Sequence, residues 1–178
     1  MTYKRYYNFG KIVFITIVTY NRMPFLLNNI ELIRTAFRSV KYKYSIIAGV
    51  VLKDHMHLLL EPNNMNEIPL IISFFKQYFS KNISSVGLDP RTDNISTSRK
   101  NKNERGIWQR RYYDHIIRDE KDFNRYLDYI HYNPMKHYKI TPKDWEYSSF
   151  KKFAEAGMYE ENWCNFGDVN GIEELDLE

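Results

Sequence analysis

The stretch YSIIAGVVLKDHMHLLLE, residues 44–61, constrains this chain more than any other. Two runs rich in apolar and β-branched residues, 44–52 and 56–61, are parted only by Lys53, Asp54 and His55. That spacing predicts two strands joined as an antiparallel hairpin, ended by Pro62 and the two asparagines that follow. At 178 residues the chain is long enough to bury a sizeable core around such a hairpin. The hairpin also carries a chemical puzzle, because His55 and His57 stand one residue apart in the apolar run. Strand side chains alternate, so both imidazoles share a face, roughly 7 Å apart along the backbone, while Met56 and Leu58 point into the core. A buried strand gains nothing from ring nitrogens that need partners. Two imidazoles on one face can share a divalent metal. Taken alone, H-x-H is more often surface or core decoration than a site. Asp54 is expected on the opposite side of a regular strand.

The remaining elements surround the hairpin. Residues 11–19, KIVFITIVT, read as a buried strand. Ile30, Ile33, Phe37 and Val40 give residues 28–41 helical spacing. Asn66 and Pro69 start a second helix whose core stripe includes Ile71, Phe75, Tyr78 and Phe79. IWQRRYYDHII, residues 107–117, reads as a fourth strand. Asp119 caps a helix over 120–133 with Phe123, Leu127 and Ile130 inward, and Pro134 stops it because the residue before proline disfavours the α region. A following segment with Trp145, Tyr147, Phe150 and Phe153 packs back on the body. The order β-α-β-β-α-β-α predicts an α+β fold: a ferredoxin-like antiparallel sheet with helices on one face. Residues 1–152 read as one domain with a long polar loop at 84–106, and 153–178 as an acidic C-terminal extension.

Charge divides the chain in the same way. Residues 153–178 hold eight Asp and Glu and no Lys or Arg, which leaves 26 bases against 14 acids in the first 152. A body that basic suits a polyanion, nucleic acid above all. The acidic end reads as a solvated terminus, or as a segment that could occupy a basic groove. No run of about 20 apolar residues marks a membrane span. Cys164 is the only cysteine, which excludes an internal disulfide and a thiolate zinc site and fits a cytoplasmic protein.

A second constellation gives the histidine pair a context. In DFNRYLDYIHYNPMKH, Tyr129 and Asn133 lie four apart and share a helix face, with Tyr126 nearby. A chain with fifteen tyrosines offers many decoys, Tyr112, Tyr113 and Tyr132 among them. Taken together, HMH before an apolar run, WQRRYYDH, YIHYNPMKH and WEYSSF resemble the HUH single-strand DNA transposases with one catalytic tyrosine. Within these, they are most similar to the transposases associated with repetitive extragenic palindromes (REPs). The resemblance covers residues 5 to 163. It implies a ferredoxin-like palm, Tyr129 as nucleophile, His55 and His57 as metal ligands, and Asn133 as a third, directly or through a water. It implies Mg²⁺ or Mn²⁺, although imidazoles ordinarily favour zinc or manganese over magnesium. It also implies hairpin DNA as target.

Single-stranded DNA binding combines a cationic groove with aromatic stacking. Lys4, Arg5, Tyr6 and Tyr7 form a basic-aromatic arm suited to this, and Lys76, Arg110, Arg111, Lys136 and His137 are further phosphate-contact candidates. No residue stands out as general base. Asp128 points about 100° from Tyr129 on a helix, and His115, on the fourth strand, is a possible active-site neighbour. The expected partner is single-stranded or hairpin DNA, with no membrane and no small-molecule substrate. The short link IRDEKDF disfavours exchange of the tyrosine helix between copies, so a monomer is favoured. Two other readings stay open: a non-cutting nucleic-acid module of the same fold, and a zinc hydrolase built on the H-x-H pair.

Overall fold

A computed structural model describes residues 7–83, 97–100 and 106–164. Its elements run β1 (Val13–Val18), α1 (Ile30–Arg38), β2 (Tyr44–Val51), β3 (His55–Pro62), α2 (Ile68–Asn82), α3 (Thr97–Lys100), β4 (Tyr113–Ile116), α4 (Glu120–Tyr138) and α5 (Phe150–Glu155). The four strands form one antiparallel sheet in the order β2-β3-β1-β4. This is the ferredoxin-like arrangement, with the hairpin β2-β3 on one side of the central β1 as residues 44–61 require.

Strand alternation sorts the sheet into two faces. Val13, Ile15, Ile17, Met56, Leu58 and Leu60 pack against Ile33, Ala36 and Phe37 of α1 and Ile72, Phe75 and Phe79 of α2. The opposite face, with Phe14, Ala48, Val50 and Leu59, packs against Phe123, Tyr126, Leu127, Tyr129 and Ile130 of α4. The expectation of helices on one face therefore holds for α1 and α2, the two crossover helices. The α4 helix covers the other side because its inward stripe needs an apolar surface of its own.

Three expected boundaries move. Of residues 107–117, only Tyr113–Ile116 joins the β1 ladder, although Trp108 still bridges Thr19. The helix capped by Asp119, whose carboxylate accepts from Asp122 N at 2.8 Å, does not stop at Pro134 but runs to Tyr138. Proline removes one donor from the helix, but the C-terminal turn is closed downstream of it. Lys139 takes the left-handed conformation at φ 57°, and its N–H reaches the Met135 carbonyl at 3.1 Å. The domain boundary expected at residue 152 falls inside α5. Phe153 and Cys164 lie in the α4-side core, with Tyr159 and Trp163 packed against it. Most of the expected loop 84–106 and the last fourteen residues lie outside the described residues, as do Lys4, Arg5 and Tyr6.

Candidate active site on the α4 face of the sheet

β3 begins with His55, and β1 fixes its register: Val18 faces His55 and Thr16 faces His57. Both histidines lie on the α4 face and are buried, with ring centroids 5.0 Å apart. Each ring is anchored through Nδ1. His57 Nδ1 is 2.8 Å from Thr16 Oγ1, and His55 Nδ1 donates to Asp54 Oδ1 at 2.7 Å. With Nδ1 engaged, Nε2 is the nitrogen each ring would present to a metal. Asp54 was expected on the far side of a regular strand. It precedes the first paired residue, outside the pleat, and turns back onto His55. Burial works against its ionisation, but His55 and then Arg22 outweigh this and hold the carboxyl below its ordinary value.

The α4 helix brings the second half of the site. The Tyr129 ring lies 5.1 Å from the His57 ring and edge-on to Phe14, fully buried. Asn133 stands one turn on, but not at a helix end. Its amide Nδ2 donates back to the Tyr129 carbonyl at 2.6 Å, which fixes the side chain, and its buried Oδ1 makes no hydrogen bond. A buried amide oxygen without a donor is costly, and a cation is the partner it suits. Two imidazoles and an amide oxygen fit a divalent ion of intermediate hardness. Among the described residues, no three His, Cys, Asp or Glu side chains are grouped to hold a metal, so any third ligand would come from outside that set.

The other candidates separate. Lys136 belongs to the site, with Nζ 5.5 Å over the Tyr129 ring, and so does His137, whose ring lies 5.0 Å from His55. His115 does not reach the site. Its Nε2 is 2.8 Å from Asp122 Oδ2 and its ring stacks on Tyr126 at 4.5 Å, which ties β4 to the start of α4. Lys76 donates to the Gln109 carbonyl at 2.8 Å and Arg110 to Ser98 at 3.0 Å, both on exposed surface, and Arg111 is exposed. Tyr7 packs on Phe123 with ring centroids 4.3 Å apart, so it serves the core rather than a stacking platform. Asp128 is committed to Tyr159, whose hydroxyl donates to it at 2.7 Å. Sequence reasoning placed Asp54 on the opposite side of the strand and so left it out of the site, whereas it meets His55. Its place directly before the first histidine was the available signal.

An antiparallel ferredoxin-like sheet carrying His-x-His on a central strand, with a tyrosine helix across it, defines an HUH-type single-tyrosine architecture. Residues 11–133 match the family described as Transposase IS200 like. The chain is 37% identical over 172 residues to a Haemophilus influenzae protein provisionally named REP-associated tyrosine transposase, covering 94% of this chain and 95% of that one. It is 31% identical to the REP-associated tyrosine transposase of Escherichia coli, covering 94% and 92%. A solved REP-associated tyrosine transposase bound to a REP hairpin superposes with a TM-score of 0.70 at 31% identity, covering 94% of this chain and 92% of that one. The chain belongs to the IS200-like transposases, and among them to the REP-associated tyrosine transposases.

Proposed function

We propose that this transposase is a metal-dependent endonuclease and strand transferase for single-stranded DNA, acting through a covalent 5′-phosphotyrosine at Tyr129. The observation that carries the reading is the 5.1 Å approach of the Tyr129 ring to His57, the histidine pair and the tyrosine coming from one chain. His55 and His57 through Nε2, and Asn133 through Oδ1, would hold the ion, Mg²⁺ or Mn²⁺. When bound it would polarise the scissile phosphate and neutralise charge that develops in the transition state.

Tyr129 Oη attacks phosphorus in line. The Oη–P bond forms and the P–O3′ bond breaks; the phenol gives up its proton, and the departing oxygen takes one to become a free 3′-hydroxyl. The phosphotyrosine keeps the energy of the broken bond, so the reverse step rejoins strands without ATP. A tyrosine of ordinary pKa, about 10, is mostly protonated at neutral pH. Lys136, lying over the ring, places a positive charge beside the developing phenolate. Because Tyr129 is fully buried, seating of the DNA has to displace part of what covers it.

Hairpin DNA of the REP type is the substrate of choice, since the solved relative holds one. The basic surface with Lys76, Arg110, Arg111, Lys136 and His137, and the arm Lys4–Tyr6, would track its backbone. Only Ile117–Asp119 separates β4 from α4, and that short link favours a monomer with its tyrosine in cis.

The test mixes end-labelled hairpin DNA from the host's flanking repeats with protein and Mn²⁺ or Mg²⁺, and scores a covalent protein–DNA adduct. Wild type is expected to form one; Tyr129→Phe and His57→Ala are expected to lose it while still binding the hairpin. An adduct surviving in Tyr129→Phe would transfer the role to another tyrosine. Tight binding with no adduct would favour a non-cutting module of the same fold.

A further inference from the structure

The two histidines are supported differently, and the difference points to a residue outside the His-Tyr-Asn set. His57 leans on a neutral hydroxyl, Thr16, whereas His55 leans on a carboxylate, Asp54. The carboxylate is not a loose surface group. The Asp54 carbonyl accepts from both Thr19 N and Thr19 Oγ1 at 2.9 Å, and Leu52 N closes the hairpin turn onto the His55 carbonyl at 2.9 Å. These bonds pin Asp54 to the end of β1 and set the direction of its side chain. The second oxygen, Oδ2, accepts from Arg22 at 3.3 Å. Arg22 reaches it from a tight turn in which Asn21 and Arg22 both lie at φ 51°. A left-handed conformation is strained for a non-glycine residue. Strain of this kind persists where surrounding contacts over-determine it, and it clusters beside functional sites. Here the strained pair lies against the support of a candidate ligand.

We propose that Asp54 is a positioning residue for the metal site, steadied by Arg22: its carboxylate holds the His55 ring with the proton on Nδ1, so that Nε2 meets the ion. The inference rests on the metal reading of His55 and His57 given above. A carboxylate behind an imidazole selects one tautomer, restricts ring rotation and makes the opposite nitrogen a better donor. Thr16 meets His57 through a neutral hydroxyl instead. Asp54 touches neither DNA nor the reacting atoms in this scheme.

Mn²⁺ titration of the metal-free protein, followed by the loss of the free-ion paramagnetic resonance signal, tests this without any turnover. Asp54→Ala is expected to raise the Mn²⁺ Kd about 10- to 100-fold, the usual range for loss of such a support. Asp54→Asn retains an acceptor oxygen but not the charge, and is expected to weaken binding several-fold; Arg22→Gln is expected to have a smaller effect. Hairpin binding in EDTA should stay at the wild-type value in Asp54→Asn, and circular dichroism should show this variant fully folded under the assay conditions, which separates a positioning role from a merely structural one. Ring ¹⁵N shifts should place the His55 proton on Nδ1 in wild type and move it to Nε2 in Asp54→Ala. Wild-type Mn²⁺ affinity in folded Asp54→Asn, or in Asp54→Ala, overturns the proposal. No Mn²⁺ binding by the wild type overturns the metal reading itself, a distinguishable result.

Discussion

His131 on α4 offers a quantitative test of how the C-terminal segment is fastened to the sheet. The residue is fully buried, with Nε2 2.8 Å from Ser149 Oγ. That hydroxyl also accepts from Gly49 N at 3.0 Å, so Ser149 ties His131 to β2. The surroundings are the rings of Phe150, Phe153 and Tyr159. Burial there pushes the imidazole pKa from 6.5 down to about 3. The unfolded chain therefore takes up a proton that the native state refuses. This contribution to stability is fully present above pH 6.5 and is lost as pH falls toward 3. The slope is about 1.4 kcal/mol per pH unit, or about 2 kcal/mol between pH 6.5 and 5. Urea unfolding at pH 7.5, 6.5, 5.5 and 5 would compare wild type with His131→Gln, which keeps an acceptor for Ser149 but does not titrate. The wild type should lose about 2 kcal/mol more than the variant over that window. Carboxylates such as Asp122 are common to both proteins and cancel in the difference. Parallel stability profiles for the two proteins would refute the argument.

Two other substitutions probe the scaffold. A Cβ at Gly49 would stand 2.7 Å from Leu58 Cδ2 and 3.3 Å from the His57 carbonyl. Gly49→Ala should therefore cost about 1–3 kcal/mol as overpacking, measured by urea unfolding, and shift the β3 backbone at His57. Asp119→Ala removes the cap on α4 and should cost about 1 kcal/mol, with faster amide exchange confined to the first turn; uniform exchange along α4 would argue against a local cap.

Several features were legible without coordinates because they depend on local pattern. Period two in residues 44–61 determined the hairpin and put His55 and His57 on one face. A spacing of four residues put Tyr129 and Asn133 on one helix face. Asp119 declared a cap whose hydrogen bond spans three residues. Each of these involves neighbours only a few residues apart, so sequence distance stands in for spatial distance.

What the sequence could not decide depended on contacts between elements. The motif WEYSSF looks like a linear signature, yet Ser149 works by clamping Gly49 of β2 and His131 of α4 together. Pro134 reads as a stop, but packing of α4 on the sheet and the turn at Lys139 carry the helix onward to Tyr138, which sets Lys136 and His137 beside Tyr129 and His55. His115 could have faced the site or the start of α4, and only its pairing with Asp122 chose between them. Asp54 departs from strand alternation because Thr19, 35 residues earlier, holds its carbonyl. Local pattern determined which residues share a face; the layering of α4 on the sheet decided which faces meet, since that choice rests on burying one apolar stripe against another across the whole chain.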